Sequence, residues 1–218
     1  MFSGIVSSIG IVNQIIRKNT GTVLTVQGDD GFSGFESGES IAVNGVCLTV
    51  RDSTNDTFTV DLSAETLSRT CFKNIEDRMN VNLERALTPS SKISGHFVSG
   101  HIDCVGKITS IDHKNGEIIF RFEYPVAYMP FIIEKGSIAV DGISLTTFSC
   151  LDNRFSVSII PFTFSNTNLA SKKIGDAVNI ECDMIGKYIY KACETILLSD
   201  GDGKKNSLDM LRRQDTLK

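Results

Sequence analysis

No stretch of this chain approaches the ~18–20 consecutive apolar residues that a membrane-spanning helix needs, so a helical membrane protein is excluded. Positive charge is not in excess either: 22 Lys and Arg stand against 26 Asp and Glu, a net charge of −4. A protein that grips a phosphate backbone wants a basic excess or stripe, so a general nucleic-acid binder is disfavoured. The six cysteines, at 47, 71, 104, 150, 182 and 193, include no C-x-x-C pair. The opening Met1-Phe2-Ser3-Gly4-Ile5-Val6 lacks a basic segment followed by a long apolar one and reads as no signal peptide. Scattered thiols in such a chain suit the reducing cytoplasm. What remains is a chain of 218 residues, 41% hydrophobic and 22% charged. That is enough for a packed core, in one medium domain or two small ones of roughly 90–100 residues.

The chain repeats itself. Residues 40–49 read SIAVNGVCLT and residues 137–146 read SIAVDGISLT, identical at seven positions at an offset of 97. The same offset pairs Phe58-Thr59-Val60 with Phe155-Ser156-Val157, and Thr66, Ser68 and Thr70 with Thr163, Ser165 and Thr167. It also pairs Val81-Asn82-Leu83-Glu84 with Val178-Asn179-Ile180-Glu181. At an offset of 96, Ser3-Gly4 matches Ser99-Gly100 and Gly10 matches Gly106. Matches in one order along both halves indicate a domain-sized duplication, because the period is too long for a solenoid.

Each half reads as short β-branched runs between Gly, Asn and Asp: 9–12, 22–26, 40–43, 46–50, 57–62 and 81–83 in the first. Asn44-Gly45 and Asp141-Gly142 are hairpin turns, since both residue types tolerate positive φ. Six strands in about 90 residues predict an all-β fold of two small closed barrels, which removes exposed edges. Ile185, Tyr188, Ile189, Ala192 and Ile196 fall on one helical stripe. The expected organisation is a barrel over 1–96, a second over 97–185, a helix over 186–198 and a polar tail over 199–218, with 88–96 as the linker.

After each hairpin turn the strand alternates. Cys47 and Thr49 face away from Val46, Leu48 and Val50, and Ser144 and Thr146 face away from Ile143 and Leu145. A thiol or hydroxyl beside a threonine, with strand backbone groups, suits hydrogen bonding to a flat heterocycle. An ordinary outward polar face shows the same period. His96 and His101 lie five apart, and in an extended segment an odd spacing sends them to opposite faces, which excludes a zinc site with Cys104. His96 reads as structural. His101 gains interest because it follows the Ser-Gly pair that also follows Phe2.

The start MFSGIV, the pair SIAVNGVCLT and SIAVDGISLT, the junction SGHFVSGHID and the terminal helix together resemble the riboflavin synthase family over roughly residues 1–198. These are alpha-chain-type enzymes of tandem lumazine-binding domains. The resemblance implies two six-stranded barrels, a cytoplasmic homotrimer joined through the C-terminal helix, and no metal or organic cofactor. It implies a transferase that takes two molecules of 6,7-dimethyl-8-ribityllumazine. One donates a four-carbon unit to the other, giving riboflavin and 5-amino-6-(D-ribitylamino)uracil, where barrels of neighbouring subunits meet. Lumazine synthase is an implied partner. The matching motifs place first-barrel binding positions at Gly4, Ile5, Val6, Cys47, Leu48, Thr49, Asp61, Leu62, Ser63, Ala64, Glu65 and Thr66. They place second-barrel positions at Gly100, His101, Ile102, Lys135, Ser144, Leu145, Thr146, Ser158, Ile159, Ile160, Pro161, Phe162 and Thr163. Phe2, Ser40 and Asp183 join the substrate-binding set, and Ser144, His101, Thr146 and Cys47 carry catalysis.

A dismutation that joins two copies of one substrate suits a duplicated binding fold, because holding both reactants removes most of the entropic cost of meeting. The acidic 7-methyl group of the lumazine lets modest general bases suffice. The copies differ where the site needs asymmetry: Cys47 against Ser144, Ile5 against His101, Ala64 against Pro161 and Glu65 against Phe162. An antenna protein that holds a lumazine or flavin without turnover is the alternative within this fold. Retention of the [CS]-L-T set in both copies, with the helix, favours the enzyme. A purely structural barrel pair leaves the Thr49/Thr146 and Ser3-Gly4/Ser99-Gly100 matches without a purpose.

Overall fold

The computed structural model describes residues 1–18, 21–29, 31–114 and 116–200. Most of the expected polar tail, from 201 on, lies outside the described residues. The first half forms strands β1 (Ser8–Lys18), β2 (Gly21–Gln27), β3 (Ser40–Val43), β4 (Val46–Ser53), β5 (Thr57–Leu62) and β6 (Asn80–Arg85). They close into an antiparallel barrel in the order β1-β2-β5-β4-β3-β6. The second half forms β7 (Cys104–Lys114), β8 (Glu117–Glu123), β9 (Ser137–Val140), β10 (Ile143–Leu151), β11 (Arg154–Ile159) and β12 (Ala177–Cys182), and closes in the equivalent order. The two-barrel fold read from the repeat is therefore the fold observed.

Local chemistry explains the turns. Asn44 and Gly45, and Asp141 and Gly142, all sit at positive φ, as a two-residue hairpin with native strand twist requires. Each barrel has its own core. Leu24, Phe58, Val60 and Leu83 fill the first, and Phe120, Phe122, Phe155 and Ile180 the second. Two short helices that strand periodicity does not announce follow β5 and β11: α1 (Ala64–Arg69) and α2 (Pro161–Ser165). The third helix, α3 (Met184–Asp200), belongs to a separate unit, and its stripe residues Ile185, Tyr188 and Ile189 are exposed.

The barrels together form one compact unit, Met1–Asp183. They are joined by a buried polar lock built on the duplicated asparagines. The Asn82 amide donates to the Asp141 carbonyl (2.9 Å) and its oxygen accepts the Asn168 N–H (2.7 Å). Its twin Asn179 donates to the Asn44 carbonyl (2.9 Å) and accepts the Cys71 N–H (2.8 Å). One ion pair breaks this symmetry. Lys172 lies 3.1 Å from Asp141, whose side chain is 1% exposed, and the first-half twins of these residues are Ile75 and Asn44. Burial works against the Lys172 charge, but the Asp141 carboxylate outweighs it and holds the ammonium above its usual range.

This arrangement makes a stability prediction. Lys172→Ile alone leaves the buried Asp141 carboxylate without its counter-charge, and is expected to lose about 3–5 kcal/mol in urea unfolding. Adding Asp141→Asn reproduces the first-half pair and is expected to recover most of the loss. A double variant no more stable than the single one contradicts this account of the lock.

Candidate active site

The alternation expected on β4 and β10 is present. Val46, Leu48 and Val50 are buried, Cys47 is half-buried and Thr49 exposed; Ile143 is buried, Ser144 half-buried and Thr146 exposed. What lies against these residues regroups the site. The Ser144 N–H donates to the Gly4 carbonyl (2.7 Å), and the Cys47 N–H donates to the Gly100 carbonyl (2.9 Å). Val6 packs on the second barrel's core and Ile102 on the first's. Gly4, Ile5 and Val6 therefore belong with Ser144–Thr146, and Gly100, His101 and Ile102 with Cys47–Thr49. The grouping by halves that the matching motifs implied is corrected: each barrel borrows a segment from the other half.

Glycine is obligatory at both crossings. A Cβ on Gly4 would lie 2.7 Å from the Ser144 Cβ, one on Gly100 2.5 Å from the Cys47 Cβ, and both residues have positive φ. Two buried carboxylates hold the segments. Glu84 accepts the Ser3 N–H (2.7 Å), the Ser3 hydroxyl (2.8 Å) and the Gly4 N–H (3.1 Å). Glu181 accepts the Ser99 N–H (2.7 Å), the Ser99 hydroxyl (2.5 Å) and the Gly100 N–H (2.9 Å). The segments also pair with each other through reciprocal hydrogen bonds between Phe2 and Val98.

The first barrel presents a cleft of about 380 Å³ lined by Cys47, Leu48, Thr49, Val50, Arg51, Asp61, Ser63 and Thr66. Arg51 pairs with Asp61 at 2.7 Å. The Ser63 hydroxyl caps α1, accepting the Thr66 N–H at 3.0 Å, with Ala64 and Glu65 exposed in the first turn. The matching positions of the second barrel differ in character. Ile160 precedes α2 with no side-chain cap, Pro161 occupies the first turn, and Ser158, Ile160 and Phe162 are exposed, with Thr163 half-buried. Lys135 lies over the Phe148 ring at 5.6 Å. A larger cavity of about 580 Å³ opens on the polar lock between residues 74–81 and 171–177, and holds none of the expected site residues.

Several expected positions present little or no side-chain surface. Phe2 is 0% exposed in a junction cluster with Ala42, Val98 and Ala139. Leu48, Leu62 and Ile159 point into the cores, Leu145 packs partly against one, and Ser40 is half-buried opposite Thr49. These residues anchor the site or offer it backbone.

One residue read as structural lies against an expected site residue. His96 Nδ1 lies 2.7 Å from the Ser144 hydroxyl oxygen, and its N–H donates to the Ser3 carbonyl at 3.1 Å. Burial pushes the His96 imidazole below its ordinary range against the opposing pull of Asp183, so the ring is neutral near pH 7. A neutral imidazole against a hydroxyl can accept its proton. The first barrel has a thiol, Cys47, at the twin position. Gly95 was the available signal, because a Cβ there would lie 2.8 Å from the Ser144 hydroxyl oxygen.

Residues 3–86 and 99–183 each match the lumazine-binding domain family. The riboflavin synthase of Actinobacillus pleuropneumoniae is 42% identical, covering 98% of this chain and 99% of that protein. That of Bacillus subtilis (strain 168) is 40% identical, covering 88% and 89%. Among solved structures, LumP complexed with riboflavin has a TM-score of 0.77 at 24% identity, over 84% of this chain and 99% of that one. LumP complexed with 6,7-dimethyl-8-(1'-D-ribityl) lumazine has a TM-score of 0.76 at 23% identity, over the same shares. These two likenesses show the fold. With both halves matched and full-length relatives well above 30% identity, the chain belongs to the riboflavin synthase family.

Proposed function

We propose that this enzyme is a riboflavin synthase that joins two molecules of 6,7-dimethyl-8-ribityllumazine, transferring a four-carbon unit and releasing 5-amino-6-(D-ribitylamino)uracil. Full-length kinship to riboflavin synthases carries the reading. The twin sites support it, each with a [CS]-L-T strand edge and a borrowed glycine segment. Each barrel takes one lumazine, with the heterocycle along 47–49 or 144–146 and the ribityl chain along 61–66 or 158–163. Neutral His96 draws the proton of the Ser144 hydroxyl, which readies that oxygen to add to or hydrogen-bond the heterocycle. Thr146, Cys47 and His101 complete the reacting surfaces, with Lys135 and Asp183 at the margin of the second site.

The same reading assigns 1–96 and 97–185 to the two lumazine-binding domains and 186–198 to assembly. The exposed stripe of Ile185, Tyr188 and Ile189 suits burial between subunits of a homotrimer. Six thiols suit the reducing cytoplasm, and lumazine synthase is the partner that fits. No helix among the described residues is long and apolar enough to cross a membrane.

The direct test mixes the pure protein with dimethylribityllumazine and no added cofactor. Riboflavin absorbance is expected; binding without turnover would return the antenna reading. Ser144→Ala is expected to lower turnover about tenfold to a hundredfold, the worth of one hydrogen bond of ~1.5–3 kcal/mol lost from the reacting site. His101→Gln should slow the reaction without abolishing it. Full activity in Ser144→Ala would mean that the hydroxyl has no part in the reaction.

The His96 assignment predicts a pH profile. Because the folded imidazole resists protonation, the acid-side fall in kcat/KM is expected below about pH 6.5, the ordinary histidine value. Below that pH the unfolded chain takes up a proton that native His96 resists, so the stability it contributes declines with acidification. In His96→Gln the acid limb should flatten, with lower activity throughout. An unchanged limb in that variant would assign the titration elsewhere.

A further inference from the structure

The two site walls are copies of one design, yet apart from Lys135 in place of Gly38 their exposed differences run in one direction. At the repeat offset, Arg51 corresponds to Phe148, Asp61 to Ser158, Ser63 to Ile160 and Glu65 to Phe162. At all four of these positions the first wall is polar. Arg51 fixes the Asp61 carboxylate at 2.7 Å, the Ser63 hydroxyl is shared with the Thr66 hydroxyl at 2.8 Å, and Glu65 is exposed beside them. The second wall keeps hydroxyls at Ser158 and Thr163 but is apolar at three of these four positions, with Ile160 60% exposed and Phe162 73% exposed. Neither supports the core, so their apolar character is free to serve what lies outside. The strand-edge residues that would meet a flat ring have not diverged in this way. Thr49 and Thr146 are identical, and Cys47 and Ser144 both carry a small polar atom.

A lumazine of the kind proposed above has two ends of different chemistry, a flat heterocycle and a polyol chain. A wall of carboxylates and hydroxyls binds chain hydroxyls with charge-assisted hydrogen bonds, and its polar groups lose partners when those hydroxyls are missing. Such a wall rejects a ligand without the polyol strongly, whereas an apolar wall discriminates weakly. We propose that reading of the polyol chain is carried chiefly by the first site, and that Phe162 with Ile160 makes the second site select the heterocycle and tolerate its chain. Glu65 and Phe162 are then the residues that set the difference. This rests on the lumazine reading, and it adds that the two reactants are recognised by different parts of the same molecule.

The test uses the full-length protein and two ligands, 6,7-dimethyl-8-ribityllumazine and 6,7,8-trimethyllumazine, which lacks the polyol. Calorimetric titration is expected to resolve two binding steps. Removing the ribityl chain should weaken one by more than about a hundredfold and the other by less than about fivefold. Phe162→Glu should raise ribityl-ligand affinity of the tolerant step about tenfold to a hundredfold and leave trimethyl-ligand affinity unchanged. Glu65→Phe should relax the selective step. Both residues are exposed, so neither change disturbs a core. Two wild-type steps that discriminate equally would overturn the proposal while leaving the lumazine reading intact, as would Phe162→Glu with no effect on the ribityl ligand. Failure of wild-type protein to bind either compound would overturn the lumazine reading itself.

Discussion

Two buried carboxylates hold this molecule in its working arrangement. Glu84, at the end of β6, takes three hydrogen bonds from Ser3 and Gly4, and Glu181, at the end of β12, takes three from Ser99 and Gly100. Burial raises the Glu84 pKa, and the donors of Ser3 and Gly4 pull it the other way. Without the carboxylate, those donors would be buried and unsatisfied, at about 1–3 kcal/mol for each group. Because the clamps fix the Ser-Gly pairs, the carbonyls of Gly4 and Gly100 meet the N–H groups of Ser144 and Cys47. A carboxylate of one barrel thereby shapes the site of the other.

Exchange of segments also explains why the barrels form one unit. The asparagine lock crosses the same junction, and the hairpin glycines Gly45 and Gly142 face one another so closely that a Cβ on either would come within 2.8 Å of the other's backbone. No lubricating layer of side chains separates the halves at that point, so displacement of one barrel would displace both sites. Because each site is built from segments of both halves, this close junction keeps the borrowed segments in register with the strands they serve.

Duplication supplies two like strand edges, and divergence gives them different chemical surroundings. The first carries a thiol, a carboxylate pinned by Arg51 and a capped helix. The second carries a hydroxyl engaged by a neutral imidazole and an apolar helix start. Reactants that are chemically identical must still play different roles in a dismutation. An asymmetric protein is what distinguishes them, and here the asymmetry of the site walls lies in side chains carried on a duplicated scaffold.

What the sequence by itself determined was local or repetitive. Alternating burial on 46–50 follows from the two-residue period of a strand, the Asn44-Gly45 and Asp141-Gly142 hairpins from tolerance of positive φ, and the paired barrels from the offset of 97. The face bearing Cys47, Thr49, Ser144 and Thr146 was legible for the same reason. The helices after β5 and β11 span six and five residues, too few for a helical period to register, although Ser63 and Pro161 mark their starts. Only the tertiary structure decided which segment serves which barrel, that Phe2 is buried, and that His96 meets Ser144 across 48 residues of chain. Those outcomes depend on the Glu84 and Glu181 clamps and on contacts between distant segments. Side chains spaced so far apart leave no periodic trace, because the geometry that joins them exists only after both barrels have closed.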